Sequence, residues 1–181
     1  MKIILHGGYS DHDVTENNSF YREIVKDINK DVVKVLLVLF AKRDEAQAEL
    51  FSRVVSNFKK IEDVIFNFTK AEQTNFIEQV RESDVVYLSG GQTIKLINIL
   101  KSYPDFISSL KDKVVVGDSA GTYALSAWFY SKSEGGIFEG LGIAPVNVIC
   151  HSDGQNSENL EELNNGNENL FLRDYEYRVF D

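Results

Sequence analysis

The chain has 181 residues, a length that suits one domain, and we predict a single domain over residues 1–181. Its formal net charge of −9 argues against nucleic acid and anionic membranes as partners, because both repel an acidic surface. One cysteine allows no internal disulfide, and the apolar start is too short for a signal peptide, so we expect a cytoplasmic protein.

Apolar runs typical of buried strands alternate with amphipathic segments typical of helices from residue 3 to about residue 128. This alternation predicts an α/β domain with a mostly parallel sheet covered by helices. Ligands of such sheets bind beyond the carboxyl ends of the strands, so the residues after each strand should form one rim. In chain order we predict strand Ile3–Leu5, helix Asn18–Asn29, strand Val32–Phe40, helix Asp44–Lys60, strand Asp63–Phe68, helix Ala71–Glu82, strand Asp84–Ser89, helix Thr93–Lys101, strand Val114–Val116 and helix Thr122–Trp128.

The last thirty residues have a different composition. The segment from Ser152 to Asn169 is rich in Asn, Glu, Ser and Gly, which indicates a mobile surface loop or a poorly ordered insertion. Two short apolar segments follow it on either side of Asp174. They predict a terminal β-hairpin that turns at this aspartate.

A serine between two glycines follows the last predicted strand, in the sequence Gly117-Asp118-Ser119-Ala120-Gly121. A G-x-S-x-G sequence between a buried strand and a helix is the pattern of a nucleophile elbow. The glycines permit a tight turn, and the free N–H groups at the helix start favour developing negative charge. A plain strand–helix turn with a capping serine is the alternative interpretation.

A serine nucleophile needs a base, and that base needs an acceptor that orients it. His6 and His151 each follow an apolar strand, whereas His12 lies in a polar loop. We predict His151 as the base, although a histidine at a strand end is also common as a structural residue. If the chain order follows that of the α/β hydrolases, the acid lies between Ser and His, so Glu134 and Glu139 are the candidates.

Glycine pairs after two other strands are possible sites of ligand contact. Gly90-Gly91 precedes a helix and is equally suited to bind an oxyanion or to form an ordinary turn. Gly7-Gly8 lacks the third glycine of a dinucleotide-binding loop, so no cofactor is expected there. Asp11, His12 and Asp13 have the side chains of metal ligands, but a surface loop is favoured, and we expect neither a metal nor an organic cofactor.

Three segments together resemble the serine peptidase family of dipeptidase E and cyanophycinase. These are the strand, glycine pair and helix of residues 85–96, the G-x-S-A-G turn within residues 116–122, and the stretch from Phe138-Glu139-Gly140-Leu141-Gly142-Ile143 to His151. The resemblance extends over roughly residues 83–151. It implies the class I glutamine amidotransferase-like fold, a three-layer sandwich in which helices cover a mostly parallel central sheet.

The resemblance also implies roles for individual residues. Ser119 is the expected nucleophile and His151 the expected base. The third member of the family's triad is often an aspartate about midway between these two, and Glu134 stands at that place here. The segment around Glu139 is similar to a non-catalytic part of the family pattern, which favours Glu134.

Substrate contacts follow from the same resemblance. The expected oxyanion donors are the N–H groups of Ala120 and of Gly91 or its neighbour Gly90. Dipeptidase E takes peptides with an N-terminal aspartate, and its carboxylate requires cationic partners. The best candidate for that partner is Arg173, with Lys42 and Arg43 at the rim as alternatives.

We therefore predict a serine peptidase that acts on small peptides, some of them with an N-terminal Asp. The chain is shorter than typical family members, which motivates an alternative, a catalytically inactive or non-peptidase glutamine amidotransferase-like binding or regulatory module. Another alternative is a partner-binding protein whose 152–169 loop orders on contact. A separation of Ser119 and His151 too large for contact would favour the binding module.

Overall fold

The structure, a computed structural model, describes residues 1–9, 17–155 and 157–181. Strands and helices alternate through most of it, as the hydrophobic pattern predicts. The elements are β1 (Lys2–His6), α1 (Asn18–Val25), β2 (Val32–Val38), α2 (Asp44–Phe58), β3 (Ile65–Lys70), α3 (Phe76–Glu82), β4 (Val85–Leu88), α4 (Thr93–Lys101), α5 (Phe106–Ser109), β5 (Val114–Asp118), α6 (Ala120–Leu125), β6 (Ser126–Ser131), β7 (Gly136–Glu139), β8 (Ala144–Cys150), α7 (Glu158–Glu161), β9 (Glu168–Leu172) and β10 (Tyr177–Phe180).

A central sheet of six strands has the order β10-β1-β5-β4-β2-β3. All neighbours in it are parallel except β10, which runs antiparallel to β1. Its strands are rich in Val, Leu and Ile because helices cover both faces and leave the middle of the sheet no contact with water. On one face, α1 and α2 contribute Phe20, Val54 and Phe58 to an apolar cluster. The predicted helix-covered α/β sheet is confirmed.

A second sheet of four strands, in the order β7-β6-β8-β9, was not predicted from the sequence. In it β6 pairs antiparallel with β7, while β6 with β8 and β8 with β9 are parallel. One apolar cluster contains Leu88 of the central sheet together with Phe129, Val148 and Leu170 of the second sheet. The two sheets therefore share one hydrophobic core, which the helices on that face complete.

The helix after the serine is shorter than predicted. It ends at Leu125, and β6 begins at Ser126, whose hydroxyl oxygen lies 2.9 Å from the Tyr123 carbonyl oxygen and 3.1 Å from that of Trp128. Trp128, predicted as helical, lies in β6 and pairs with β7 and β8. Its segment carries three aromatic residues in a row, which favour strands through their packing on neighbouring strands.

The predicted terminal hairpin is wrong. The two segments around Asp174 form strands of different sheets, because β9 pairs with β8 and β10 pairs with β1. The segment 152–169, predicted as a mobile surface loop or poorly ordered insertion, is mostly exposed in its described residues, but it also contains the short helix α7 and side chains tied to the second sheet. Leu160 of α7 is buried, and the buried Asn147 amide donates to the side-chain oxygens of Asn165 and Asn169 at 3.0 and 2.8 Å. Asparagine side chains of this segment are thus hydrogen-bonded to Asn147 of β8.

Candidate active site

Ser119 lies in a sharp turn between β5 and α6, at the carboxyl edge of the central sheet. Its backbone has φ 50° and ψ −103°, a strained combination for a residue with a side chain. The flanking glycines are required by close packing. A Cβ on Gly117 would lie 2.5 Å from the Thr122 nitrogen, and one on Gly121 would lie 2.1 Å from the Leu88 carbonyl oxygen. This strained, tightly packed turn is the geometry of a nucleophile elbow.

His151 follows β8 and reaches the serine directly. Its Nε2 lies 3.0 Å from Ser119 Oγ, which is a hydrogen-bond distance. The His151 backbone also has a positive φ, of 53°, and its N–H donates to the Gly7 carbonyl oxygen at 3.1 Å. Gly8 packs so tightly beneath the ring that a Cβ there would lie 2.4 Å from His151 Cε1. The Gly7-Gly8 turn therefore positions the imidazole.

The partner of the imidazole differs from the prediction. His151 Nδ1 is 2.5 Å from Asp174 Oδ1, so the aspartate takes the place predicted for Glu134. Glu134 is exposed in the turn between β6 and β7, where its backbone N–H donates to Ser131 Oγ. The alternative, Glu139, ends β7 and lines a separate cavity beside α4 and α5. Neither glutamate is hydrogen-bonded to His151.

Strand pairing explains how Asp174 comes to lie beside His151. Cys150 and Leu172 are partners in the parallel pair of β8 and β9, so the residues that follow them emerge side by side. The turn after β9 is tied to the first strand, since the Tyr175 N–H donates to the Gly8 carbonyl oxygen at 2.9 Å. In the sequence, Asp174 is a carboxylate just beyond a strand end, which could have indicated a site residue, but the apolar segments on either side of it predict a hairpin turn.

The three residues predicted as oxyanion donors lie in the two turns nearest the serine. Gly90 and Gly91 line the same cavity as Ser119, and Gly91 has φ 147°, with a hypothetical Cβ only 2.5 Å from the Ala41 carbonyl oxygen. Ala120 begins α6, and the first N–H groups of a helix have no acceptor within it. The Ser119 N–H, in contrast, donates to the His6 carbonyl oxygen. Gly90 and Gly91 thus border the space beside Ser119, and Ala120 directly follows the serine in the chain.

A cavity of about 170 Å³ opens beside the serine, between the strand ends and α2. Its cationic lining residues are Lys42 and Arg53, while Arg173, the first candidate from the sequence, is exposed and does not line it. Arg53 was missed because its contact with the cavity depends on how α2 packs on the sheet. The Arg53 guanidinium carbon lies 5.6 Å from the ring centre of Tyr9. Burial raises the pKa of Tyr9, which keeps its hydroxyl neutral.

A second histidine–carboxylate pair lies beneath the cavity. His6, which is fully buried, has its Nδ1 3.0 Å from Asp118 Oδ1 and its Nε2 3.0 Å from Asn17 Oδ1. Its ring stacks on that of Phe20, with 4.2 Å between the centroids. Such burial requires that both ring nitrogens have partners, and both do. His6 has no contact with water, whereas the side chain of His151 is 43% exposed.

Two other sequence features concern cofactors and thiol chemistry. The possible metal ligands Asp11, His12 and Asp13 lie outside the described residues. Within the described ranges, no three His, Cys, Asp or Glu side chains are grouped as metal ligands. The buried Cys150 lies with its Sγ 3.7 Å from the Ser119 carbonyl oxygen, and burial raises the pKa of its thiol well above the usual value. Such a thiol is a packing group rather than a nucleophile.

None of the described helices has the length and apolar composition needed to cross a membrane.

The fold and this site define a class of α/β protein in which a serine elbow, a histidine and a carboxylate meet at the edge of a parallel sheet. A family model described as peptidase family S51 matches residues 3–167, and the chain belongs to that family of peptidases. No curated protein matches the sequence significantly.

Two solved structures share the fold. One is a peptidase from an acI-B1 Actinobacterium, 16% identical, with a TM-score of 0.69 over 99% of this chain and 82% of that one. The other, from Listeria monocytogenes EGD-e, is described as a candidate peptidase E protein. It is 14% identical, with a TM-score of 0.68, and the match covers 99% of this chain and 96% of that chain. At these identities the likeness concerns the fold alone.

Proposed function

We propose that this protein is a serine peptidase that hydrolyses small peptides, with Ser119 as nucleophile, His151 as general base and Asp174 as the residue that orients the base. The observation that carries the proposal is the continuous chain of contacts from Ser119 Oγ to His151 Nε2, and from His151 Nδ1 to Asp174 Oδ1. A base within hydrogen-bond reach of a hydroxyl and held by a carboxylate is the arrangement that activates serine.

The reaction proceeds in two stages. Ser119 Oγ attacks the scissile carbonyl while His151 Nε2 takes the hydroxyl proton, and the Asp174 carboxylate stabilises the resulting imidazolium. His151 then gives that proton to the leaving amine, and water hydrolyses the acyl-enzyme by the same route. The N–H groups of Ala120 and of Gly91 or Gly90 stabilise the negative charge on the tetrahedral intermediate.

The proposed substrate class includes peptides with an N-terminal aspartate. Lys42 and Arg53 line the cavity beside Ser119, and cationic groups there favour a substrate carboxylate. These two replace Arg173 as the proposed partners. The small cavity, about 170 Å³ against roughly 300–1,000 Å³ for typical ligand sites, favours a short substrate. A reducing, cytoplasmic location stays a proposal, supported by the single buried cysteine.

Peptide hydrolysis by the purified protein tests the proposal. Asp-Leu and Ala-Leu should be cleaved by the wild type, and Ser119→Ala should abolish cleavage of both. Cleavage that persists at the wild-type rate in Ser119→Ala would overturn the proposal. The binding-module alternative predicts no cleavage by either protein, but the 3.0 Å contact of Ser119 with His151 favours the hydrolase.

A further inference from the structure

A carboxylate lies on the floor of the cavity, next to the nucleophile in the chain. Asp118 ends β5 immediately before Ser119, is 5% exposed, and lines the cavity together with Gly90. Its Oδ2 is 3.8 Å from the position that a Cβ on Gly90 would occupy, and that same position lies 3.4 Å from Ser119 Cβ. Because Gly90 has no side chain, the space beside Ser119 is open to the Asp118 carboxylate.

The direction of this carboxylate is fixed by one of its two oxygens. Asp118 Oδ1 lies 3.0 Å from His6 Nδ1, which is also 3.2 Å from the Gly8 nitrogen, and His6 is itself held by Asn17 and by stacking on Phe20. A buried carboxylate is stable only when it is hydrogen-bonded or paired. The pairing with His6 involves Oδ1, and Oδ2 lies on the side of Gly90 and the cavity.

The cavity therefore presents charges of both signs. The Asp118 carboxylate lies on the strand side, and the Lys42 and Arg53 cations line the same space. A ligand that carries both an ammonium group and a carboxylate complements this arrangement better than a ligand with one charge. The first residue of a peptide with a free amino group and an acidic side chain has both.

We propose that Asp118 binds the free α-ammonium group at the start of a peptide substrate. The inference rests on the proposed peptidase function and makes its substrate class narrower. In a peptide the α-nitrogen is two bonds from the carbonyl carbon of its residue, and Asp118 directly precedes Ser119 in the chain. An ammonium group held by Asp118 therefore places the first peptide bond at Ser119.

The test measures binding in a protein that cannot turn over. Ser119→Ala is titrated by calorimetry with Asp-Leu amide and with succinyl-Leu amide, which differs only in lacking the α-amino group. A charge-assisted hydrogen bond predicts binding of the amine about 10- to 100-fold tighter. Adding Asp118→Asn, which keeps an oxygen for His6, should reduce that ratio to within about threefold. Adding Glu134→Gln instead, outside the cavity, should leave the ratio unchanged.

Equal binding of the two ligands by Ser119→Ala would overturn the proposal, as would a ratio that survives Asp118→Asn or no binding of either ligand at millimolar concentration. If Asp118→Asn fails to fold, Gly90→Ala replaces it, since the added methyl would fill the space between Oδ2 and Ser119. The ratio of the two dissociation constants must then approach one, and a ratio unchanged in Gly90→Ala would contradict the proposal.

Hydrolysis by the wild type is scored separately, so that the two proposals fail in different ways. Cleavage of Asp-Leu amide without amine-dependent binding removes the role of Asp118 and retains the peptidase. Amine-dependent binding that is lost in Asp118→Asn, without cleavage, retains the role of Asp118 and removes the peptidase.

Discussion

Replacing Gly8 by alanine should disable the site without removing any reacting group. The added Cβ would lie 2.4 Å from His151 Cε1, about 1 Å closer than the 3.4 Å at which ordinary contacts begin. The imidazole must move by about that distance, and a misplacement of 1 Å in a catalytic group lowers rates by about 100-fold. We therefore expect kcat/KM for Asp-Leu to fall at least about 100-fold.

The same substitution also strains the backbone, because Gly8 has φ 93°. A residue with a Cβ in this region costs about 1–2 kcal/mol, which lowers Tm by roughly 2–8 °C for a chain of this size. Gly166→Ala is the matched control. Its φ is 78°, and no atom lies within 4 Å of the added Cβ. It should lose similar stability and keep its activity.

Two assays separate the effects: kcat/KM for Asp-Leu together with the rate of fluorophosphonate labelling, and thermal unfolding followed by circular dichroism. Gly8→Ala should lose peptide cleavage and rapid labelling, but its thermal unfolding should still show a folded protein. Full activity in Gly8→Ala, or an equal loss of activity in Gly166→Ala, would refute the reasoning that Gly8 positions His151.

Three further substitutions test the orienting role of Asp174, the packing of the elbow and the charge of Asp84. Asp174→Asn should lower kcat by roughly 1,000- to 10,000-fold because it no longer stabilises the imidazolium, whereas Glu134→Gln should stay within about twofold of wild type in the same peptide assay. Gly121→Ala should lower Tm by roughly 6–12 °C, since its Cβ would lie 2.1 Å from a β4 carbonyl oxygen. Burial opposes ionisation of Asp84, but hydrogen bonds from the Lys30 ammonium and a backbone N–H outweigh it and lower the Asp84 pKa. The stabilisation that the ionised Asp84 gives the folded protein is thus complete above the unfolded pKa of about 3.9. It is lost as pH falls through the lower pKa of the folded state. Asp84→Asn should therefore lower the free energy of unfolding at pH 7, and lower it progressively less below pH 4.

Each of these has a contradicting result. A larger fall in kcat for Glu134→Gln than for Asp174→Asn would indicate that Glu134 is the orienting acid. Unchanged thermal stability in Gly121→Ala would mean that the elbow and β4 are less tightly packed than described. A difference between wild type and Asp84→Asn that does not change between pH 7 and pH 3, followed by denaturant unfolding, would show that the charge of Asp84 is not the stabilising feature.

The proposed nucleophile and the proposed base were accessible to sequence reasoning because their signals are local. Ser119 stands in a short pattern whose glycines have steric reasons, and His151 directly follows a run of apolar residues. The helix Thr93–Lys101 was predicted with its observed bounds, because its apolar periodicity and its preceding glycines agree. A single sequence therefore predicts best those features that depend on the spacing of a few neighbouring residues.

The proposed orienting acid was not accessible in this way. Asp174 reaches His151 only because β9 pairs with β8 while β10 crosses to β1, and such long-range pairing has no local signature. The rule of chain order taken from α/β hydrolases directed attention to Glu134 and Glu139 instead. Arg53 was missed for a similar reason, because its place in the cavity depends on how α2 packs. The positions of Asp174 and Arg53 thus depend on strand pairing and helix packing between distant parts of the chain, which short sequence motifs do not indicate.

The most direct test of the central claim is covalent labelling of the purified protein with a fluorophosphonate probe, followed by peptide mapping of the modified residue. An activated serine predicts one adduct, on Ser119, that is absent in Ser119→Ala and forms far more slowly in His151→Ala and Asp174→Asn. A well-folded wild-type protein that carries no adduct on Ser119, or that labels at the same rate when His151 is replaced, would contradict an activated serine at this site.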